Sequence, residues 1–153
     1  MGTQMENAHT YHVVAWWTSG RTGLAKSSST PNAIHFSAPA EFGGLEGRWT
    51  PEDLLLAALA SCFTITFHSI AEYSGFDYVD LQVETTGTLS KTGNGYGFSD
   101  LAICPNLTIL DEESRGRGIG ILQSAAARCL ISRALTPAPK VKVRIDVRKH
   151  SPA

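Results

Sequence analysis

The stretch that most constrains the fold runs from Thr50 to Gly75, TPEDLLLAALASCFTITFHSIAEYSG. Thr50 is a favourable N-cap, Pro51 suits the first helical position, and Asp53 completes a capping signal. Gly75 suits the left-handed conformation that ends many helices. Residues 51 to 74 therefore predict one helix, roughly 36 Å long at 1.5 Å per residue.

This predicted helix is apolar on nearly all sides. Leucines and alanines fill most positions from 54 to 60, and Phe63, Ile65, Phe67 and Ile70 follow. A helix without a broad polar face is normally surrounded by protein. Polar residues interrupt the apolar part, which is also too short to indicate a membrane span. We therefore expect the rest of the chain to cover this helix.

Charge and cysteine usage exclude some classes of protein. The net charge of the 153-residue chain is -1, so there is no electrostatic case for binding nucleic acid or an anionic membrane. No apolar run near the N-terminus resembles a signal peptide. The three cysteines are widely spaced and odd in number, which argues against a secreted disulfide framework. We expect a cytoplasmic protein.

The sequence around the helix predicts strands on both sides of it and a second helix. Alternating apolar residues, turn residues and an Asn94-Gly95 hairpin signal support these assignments. The predicted strands cover 10–18, 24–30, 33–37, 78–89, 96–110 and 140–147, and the second helix covers 111–135. Without a repeat or a linker, these elements predict one α+β domain over residues 10–150, preceded by a loosely ordered segment over residues 1–9.

The cysteines are the first candidates for chemistry. Cys62 lies inside the apolar helix, and Cys129 lies late in the second predicted helix. Either one, taken alone, is most simply a small buried hydrophobic residue. Cys104 lies in a predicted strand with nothing beside it to activate it, so we interpret it as structural.

Three blocks of sequence occur in order along the chain. They are Trp17 to Gly23, Trp49 to Cys62 with its Pro-Glu and Ser-Cys pairs, and Cys129 to Ser132. Their order and spacing resemble the Ohr/OsmC family, the organic hydroperoxide resistance and osmotically inducible proteins. The resemblance implies antiparallel sheets around a long central helix, in an intertwined homodimer with sites at the subunit interface. It also implies thiol-dependent reduction of hydroperoxides by a cysteine pair.

The resemblance assigns roles by position. Cys62 matches the peroxidatic cysteine, and Cys129 matches the resolving cysteine. Arg21 matches the arginine that stabilises the thiolate, and Glu52 matches the carboxylate that holds this arginine. Arg48 is the alternative to Arg21. Only a thiolate attacks a peroxide, and an apolar helix disfavours the thiolate, so Cys62 needs a cation nearby. Alternatively, Arg21 is an exposed turn residue and Glu52 an ordinary charge at a helix N-terminus.

The spacing of Glu52 and Cys62 has a geometric consequence. Cys62 comes ten residues after Glu52, which is about 15 Å of rise along a helix. If the helix is unbroken, these two side chains cannot share a compact site within one subunit. An antiparallel pair of central helices in a dimer would bring Glu52 of one chain toward Cys62 of the other. We therefore hypothesise a site built across a dimer.

Aromatic residues are candidates for a substrate pocket. They would form an apolar cleft suited to an alkyl hydroperoxide, although ordinary core packing is the alternative for each of them. The candidates are Trp17, Trp49, Phe63 and Phe67.

The histidines show no metal-ligand spacing, so we expect no metal. His68 is a poor base for Cys62, and we expect it to be hydrogen-bonded in the interior or at the helix end. Residues 115–120 carry three glycines and predict an irregular helix start rather than a phosphate loop.

The sequence thus predicts a peroxidase. Cys62 would reduce an organic hydroperoxide to an alcohol and become a sulfenic acid, and Cys129 would condense with it to a disulfide. An external dithiol, a lipoyl group or a small thiol, would restore the pair. We expect no metal, flavin or haem cofactor. The alternative is a non-catalytic protein of the same fold that binds a small apolar ligand or senses redox state.

Overall fold

The computed structural model describes residues 7–149. These residues divide into two compact units between Leu54 and Leu55. The segment over 1–9, predicted to be loosely ordered, falls largely on residues 1–6, which lie outside the described residues, as does residue 150 at the end of the predicted domain. One domain over residues 10–150 stays a prediction.

The first unit contains a three-stranded antiparallel sheet. Its strands are β1 (Val13–Ser19), β2 (Thr22–Ser27) and β3 (Ile34–Ser37), in the order β1-β2-β3. A 3-10 turn follows at Ala40–Phe42. Gly20 turns the chain between β1 and β2 with a φ of 51°, a conformation that favours glycine. The three predicted strands are confirmed with shifts of up to three residues.

The long helix α1 spans Pro51–Tyr73. At its start the Thr50 hydroxyl accepts a hydrogen bond from the Asp53 N–H (3.0 Å), and the Asp53 carboxylate accepts one from the Thr50 N–H (3.1 Å). At its end Gly75 has a φ of 64°, and the Phe76 N–H donates to the Ala71 carbonyl (2.8 Å). These bonds satisfy the backbone groups that a helix end exposes, and they confirm both predicted caps.

The hydroxyl groups inside α1 bond back to the helix itself. The Thr64 hydroxyl donates to the Ala60 carbonyl (2.8 Å), and the Thr66 hydroxyl donates to the Cys62 carbonyl (2.7 Å). Because these groups find partners within the helix, they do not require a solvated face. The helix is thus free to be apolar on most sides.

Helix α1 is incompletely covered by its own chain. Among the described residues it alone is long and apolar enough to cross a membrane, a criterion of length and composition that core helices also meet. Only 22% of its most apolar 18-residue window is buried, and Ile65 is 67% exposed. A long apolar helix that its own chain leaves this open usually indicates a further contact surface.

The second unit combines a four-stranded sheet with two further helices. The strands β4 (Asp80–Thr92) and β5 (Gly95–Ile109) form a long antiparallel hairpin. Strands β6 (Lys140–Val141) and β7 (Arg144–Val147) both run parallel to β5. Between β5 and β6 the chain forms a 3-10 turn at Glu112–Ser114, helix α2 (Arg115–Arg128) and the short helix α3 (Leu130–Arg133). The α+β class, with antiparallel sheets and a long helix, is confirmed.

The core of the second unit lies where α1, β5 and α2 meet. Every fourth residue of α1 is buried there, and alternate residues of β5 face the same core. The Thr85 hydroxyl on β4 also donates to the Leu56 carbonyl of α1 (2.9 Å). The central members of this core are Leu59, Phe63, Phe67, Ala71, Ile103, Leu107, Ile109, Leu122, Ala125 and Cys129.

The last predicted strand is divided in two. Strand β6 pairs with Ala102 and Ile103, and β7 pairs from Asn106 onward, so the gap lies beside Cys104 and Pro105. Pro105 has no N–H to donate to a neighbouring strand, which weakens pairing at this point. The sequence predicted one continuous strand over 140–147, and that was wrong at its middle.

The glycines of α2 do not make its start irregular, contrary to the sequence prediction. The helix is regular from Arg115, and Gly118 is buried against the sheet. A Cβ atom on Gly118 would lie 3.0 Å from Cδ2 of Leu107 and 3.5 Å from Cζ of Phe76. The absent side chain therefore lets α2 approach the sheet closely.

Candidate active site

Cys62 lies at the middle of α1, beside the core. Its side chain is half-buried and packs against the core residues of the second unit. The neighbouring Phe63 is fully buried, so the helix holds Cys62 at the margin of the core rather than at its centre. A small reactant therefore has access to this sulfur.

Cys129 interrupts the second predicted helix. Its backbone is extended, with φ −62° and ψ 113°, so helix α2 ends at Arg128 and α3 begins at Leu130. The sequence predicted one helix over residues 111–135, and that was wrong at Cys129. The first N–H groups of a helix have no partner within it, so the break frees those of Leu130, Ile131 and Ser132. Cys129 itself is fully buried.

The break brings the two predicted redox cysteines together. The Cys62 and Cys129 side chains are hydrogen-bonded to each other, and both are free thiols. The backbone N–H groups of Leu130 and Ile131 also donate to the Cys62 sulfur. The chain thus builds a compact two-sulfur cluster from α1 and the α2–α3 junction.

The pKa of Cys62 is lowered from its ordinary value. Burial is the largest single influence and raises the pKa, but hydrogen bonds to the sulfur outweigh it. The strongest comes from the Ile131 N–H, followed by those from the Cys129 thiol and the Leu130 N–H. The Thr66 hydroxyl, whose proton is donated to the Cys62 carbonyl (2.7 Å), has the smallest lowering effect. Cys62 is therefore the member of the pair that ionises first.

The pKa of Cys129 is raised. Burial is the main cause, and the neighbouring Cys62 sulfur adds to it, although the Ser132 and Ile131 N–H groups act in the opposite direction. Two adjacent thiols whose surroundings move their pKa values apart have distinct chemical roles. Cys62 is suited to attack as a thiolate, and Cys129 to remain a protonated thiol until it is needed.

Sequence reasoning missed the backbone donors. It sought a side-chain cation to stabilise the Cys62 thiolate, whereas the second unit supplies N–H groups from Leu130 and Ile131. No residue type in the run from Ala127 to Ser132 indicates an extended residue, since alanine, arginine, leucine and isoleucine all suit a helix. The signal was therefore not present in the local sequence.

Arg21, Arg48 and Glu52 belong to the first unit. Arg21 and Arg48 are both exposed. The guanidinium of Arg21 donates a hydrogen bond to the Phe42 carbonyl. The Oε2 atom of Glu52 is buried and has no hydrogen-bond partner among residues 7–149. The predicted roles of these residues toward Cys62 stay predictions.

The aromatic candidates fall into two groups. Phe63 and Phe67 are fully buried in the core of the second unit, and Phe67 packs edge-on against Tyr78 with ring centroids 5.2 Å apart. Trp17 and Trp49, in the first unit, are 76% and 54% exposed. Their shared role in a substrate pocket stays a prediction.

His68 has a hydrogen-bond partner, as the sequence predicted. Its Nδ1 atom lies 2.6 Å from the Tyr78 hydroxyl, but the side chain is exposed rather than interior. Within the part of the chain that the structure describes, no group of three or more histidine, cysteine or acidic side chains is arranged to hold a metal ion.

Comparison with known proteins defines the class to which this fold and cysteine pair belong. The family described as OsmC-like protein matches residues 44–144, more than half of the chain. The chain therefore belongs to the OsmC-like protein family.

Individual relatives extend over nearly the whole chain. The uncharacterized protein YmaD of Bacillus subtilis (strain 168) is 24% identical over 143 residues, covering 92% of this chain and 95% of YmaD. Peroxiredoxin OsmC of Escherichia coli (strain K12) is 24% identical over 132 residues, covering 86% of this chain and 88% of that protein. The crystal structure of the organic hydroperoxide resistance protein OhrB of Bacillus subtilis superimposes with a TM-score of 0.67 at 23% identity, covering 90% and 98% of the two chains. This last likeness shows the fold.

Proposed function

We propose that this protein is a cysteine-based peroxidase that reduces organic hydroperoxides to alcohols. The observation that carries the proposal is the half-buried Cys62 thiol, whose pKa is lowered, hydrogen-bonded to the buried Cys129 thiol. The names of two relatives, a peroxiredoxin and an organic hydroperoxide resistance protein, support the same reaction class.

The first step is attack of the Cys62 thiolate on the distal oxygen of the hydroperoxide. The S–O bond forms as the O–O bond breaks, and the departing alkoxide takes a proton to become the alcohol. Cys62 is oxidised to a sulfenic acid. The N–H groups of Leu130 and Ile131 hold the sulfur before attack, because their donation favours the thiolate over the thiol.

The second step joins the two sulfurs. The Cys129 sulfur attacks the Cys62 sulfenic sulfur, the S–S bond forms, and hydroxide leaves with the Cys129 proton as water. The existing hydrogen bond between the thiols supports this step, because it holds the reacting atoms together before oxidation. An external dithiol then reduces the disulfide, and we expect this in the cytoplasm, where thiols stay reduced.

We further propose that a second copy of the chain completes the site. The supporting observation is the poorly covered α1, on which Ile65 is 67% exposed. Within one copy, an arginine is the partner that best satisfies a carboxylate such as Glu52. In an antiparallel pair of α1 helices, Glu52 and Arg21 of one copy would serve Cys62 of the other, next to an apolar cleft that includes Trp17 and Trp49.

Turnover of cumene hydroperoxide in the presence of dithiothreitol tests the proposal. The wild-type protein should consume the peroxide and Cys62→Ser should not. Cys104→Ser is the matched control, because it removes a thiol outside the two-sulfur cluster and should keep full activity. Peptide mapping after one equivalent of peroxide should find a Cys62–Cys129 disulfide.

A redox-inert binding protein of the same fold would give a different result. It would bind an apolar ligand equally well with Cys62→Ser and would consume no peroxide. Failure of turnover with every small dithiol and with lipoyl reductants, while ligand affinity is retained, would favour that alternative.

A further inference from the structure

An exposed leucine lies directly at the two-sulfur cluster. Leu130 is the first residue of α3 and follows the extended Cys129. Its backbone N–H donates to the Cys62 sulfur, and its side chain is 71% exposed. Because the side chain is attached to the Cα atom next to that nitrogen, it begins beside the reacting sulfur. An apolar surface thus adjoins the thiol on the solvent side.

The two backbone donors of Cys62 direct their side chains differently. The Ile131 N–H also donates to the Cys62 sulfur, and the Ile131 side chain packs against the core of the second unit. In the part of the chain that the structure describes, Leu130 belongs neither to this core nor to the apolar residues packed against it. Successive residues of a helix point about 100° apart, so one neighbour can face the core while the other faces outward. The Leu130 side chain is therefore available to a molecule that approaches Cys62.

The position of Cys62 on α1 fixes the side from which a reactant arrives. Phe63 is fully buried, whereas Ile65 is 67% exposed. At roughly 3.6 residues per turn, Cys62 lies about 100° from Phe63 and about 60° from Ile65 around the helix axis. A reactant therefore reaches the sulfur from the exposed side of α1 and not through the core. The exposed Leu130 side chain is reached from solvent in the same way.

The shape of a hydroperoxide brings its organic group to this leucine. The thiolate attacks the distal oxygen as the O–O bond breaks, so the proximal oxygen and its organic group point away from the sulfur. The organic group then lies at the solvent side of the thiol, where Leu130 offers apolar surface. Removing apolar surface from water favours binding. Hydrogen peroxide carries only a proton on its second oxygen and gains nothing from this contact.

We propose that Leu130 determines specificity, because its side chain binds the organic group of the hydroperoxide while its backbone N–H holds the Cys62 sulfur. This inference rests on the proposed function, since it names a residue that selects the substrate of the same site. It assigns a preference for bulky apolar hydroperoxides over hydrogen peroxide to a side chain of the copy that reacts.

The test measures the rate at which the Cys62 thiol is lost to cumene hydroperoxide and to hydrogen peroxide, in one turnover without reductant. In Leu130→Ala the ratio of the two rates should fall about fivefold, since this variant loses an apolar contact but keeps its backbone N–H. The rate with hydrogen peroxide should stay within about twofold of wild type. Leu130→Met keeps an apolar side chain of similar volume and should retain the wild-type ratio.

Leu110→Ala is the matched control. Leu110 is 40% exposed and follows the end of β5, and in the described residues neither sulfur accepts a hydrogen bond from it. Its ratio should equal that of the wild-type protein. Equal slowing of both peroxides in Leu130→Ala would overturn the proposal. A lower mass of that variant by light scattering, together with equal slowing, would instead assign Leu130 to a contact between copies.

Alkylation of Cys62 separates this inference from the proposed function. N-phenylmaleimide carries an apolar group and N-(2-hydroxyethyl)maleimide a polar one, and neither requires peroxide chemistry. Peptide mapping gives the ratio of their rates at Cys62, which should fall in Leu130→Ala and not in Leu110→Ala. A protein that showed this fall but reduced no hydroperoxide would contradict the peroxidase and support the apolar contact at Leu130. A ratio unchanged in Leu130→Ala would overturn that contact in either case.

Discussion

The Cys62 and Cys129 thiols are hydrogen-bonded to each other, although one lies in the middle of α1 and the other between α2 and α3. The extended backbone of Cys129 makes this contact possible. It ends α2, starts α3, and turns free N–H groups toward both sulfurs. One residue outside helical geometry therefore both supplies the second thiol and presents the donors that stabilise the first.

Replacing the buried thiol should separate the two oxidation steps. In Cys129→Ser, Cys62 should still reduce one equivalent of hydroperoxide per chain, because its own sulfur attacks. The sulfenic acid should then persist, since no second thiol is present to condense with it. Dimedone labelling followed by intact mass should show one adduct per chain. A disulfide between Cys62 and Cys104 in this variant would contradict the assigned pairing.

The reaction of Cys62 should depend on pH through its lowered pKa. The rate with iodoacetamide should rise with pH and level off above a midpoint lower than that of the same thiol in the urea-unfolded chain. Thr66→Val should move this midpoint upward, because it removes the smallest of the influences that lower the pKa.

Thr64→Val is the control for this measurement. The Thr64 and Thr66 hydroxyls each donate to the carbonyl four residues earlier, at 2.8 and 2.7 Å, so both variants lose the same kind of bond. Only Thr66 also contacts the Cys62 sulfur. Equal midpoints in the two variants would show that Thr66 does not act on the thiol.

The exposed face of α1 should determine the assembly of the protein. Ile65 is 67% exposed there, and a lysine at this position would place a charge in any interface that covers the helix. We expect Ile65→Lys to elute as a monomer from a calibrated column with light-scattering detection, and Ile119→Lys on α2 to keep the wild-type mass. A monomeric, fully active wild-type protein would contradict the two-copy site.

The glycines of α2 should respond differently to a methyl group. Gly120→Ala should raise the free energy of unfolding by about 0.5–1 kcal/mol, because nothing lies within 4 Å of the new Cβ atom and alanine is the better helix former. Gly118→Ala should be less stable than Gly120→Ala by about 1 kcal/mol or more, since its Cβ atom would press on Leu107. Urea unfolding measures both.

Much of the fold follows from local sequence signals. Both ends of α1 are set by side chains and a glycine within a few residues of each end, so Thr50, Asp53 and Gly75 identify them. The β4–β5 hairpin is also local, because alternation predicts its two strands, although the turn falls on Gly93 and Asn94, one residue before the predicted Asn94-Gly95 pair. Such elements need no knowledge of distant parts of the chain.

Two other features of the fold are not local. Whether Cys129 is helical or extended depends on its packing against α1, and leucine or arginine neighbours do not reveal it. The lapse between β6 and β7 depends on Pro105, which lies in a different strand and could be recognised only once the pairing was known. Tertiary contacts decided both, and sequence periodicity does not report them.

The complete burial of Cys129 also bears on how an oxidised molecule would be regenerated. An incoming thiolate can attack either sulfur of the Cys62–Cys129 disulfide. The lowered pKa of Cys62 alone would make Cys62 the better leaving group and would therefore favour attack on Cys129. Access reverses that preference, because only Cys62 can be reached from solvent. The mixed disulfide with the reductant would therefore form at Cys62. The Cys62 sulfur would then be the atom that reacts with the peroxide and also the atom that the reductant attacks.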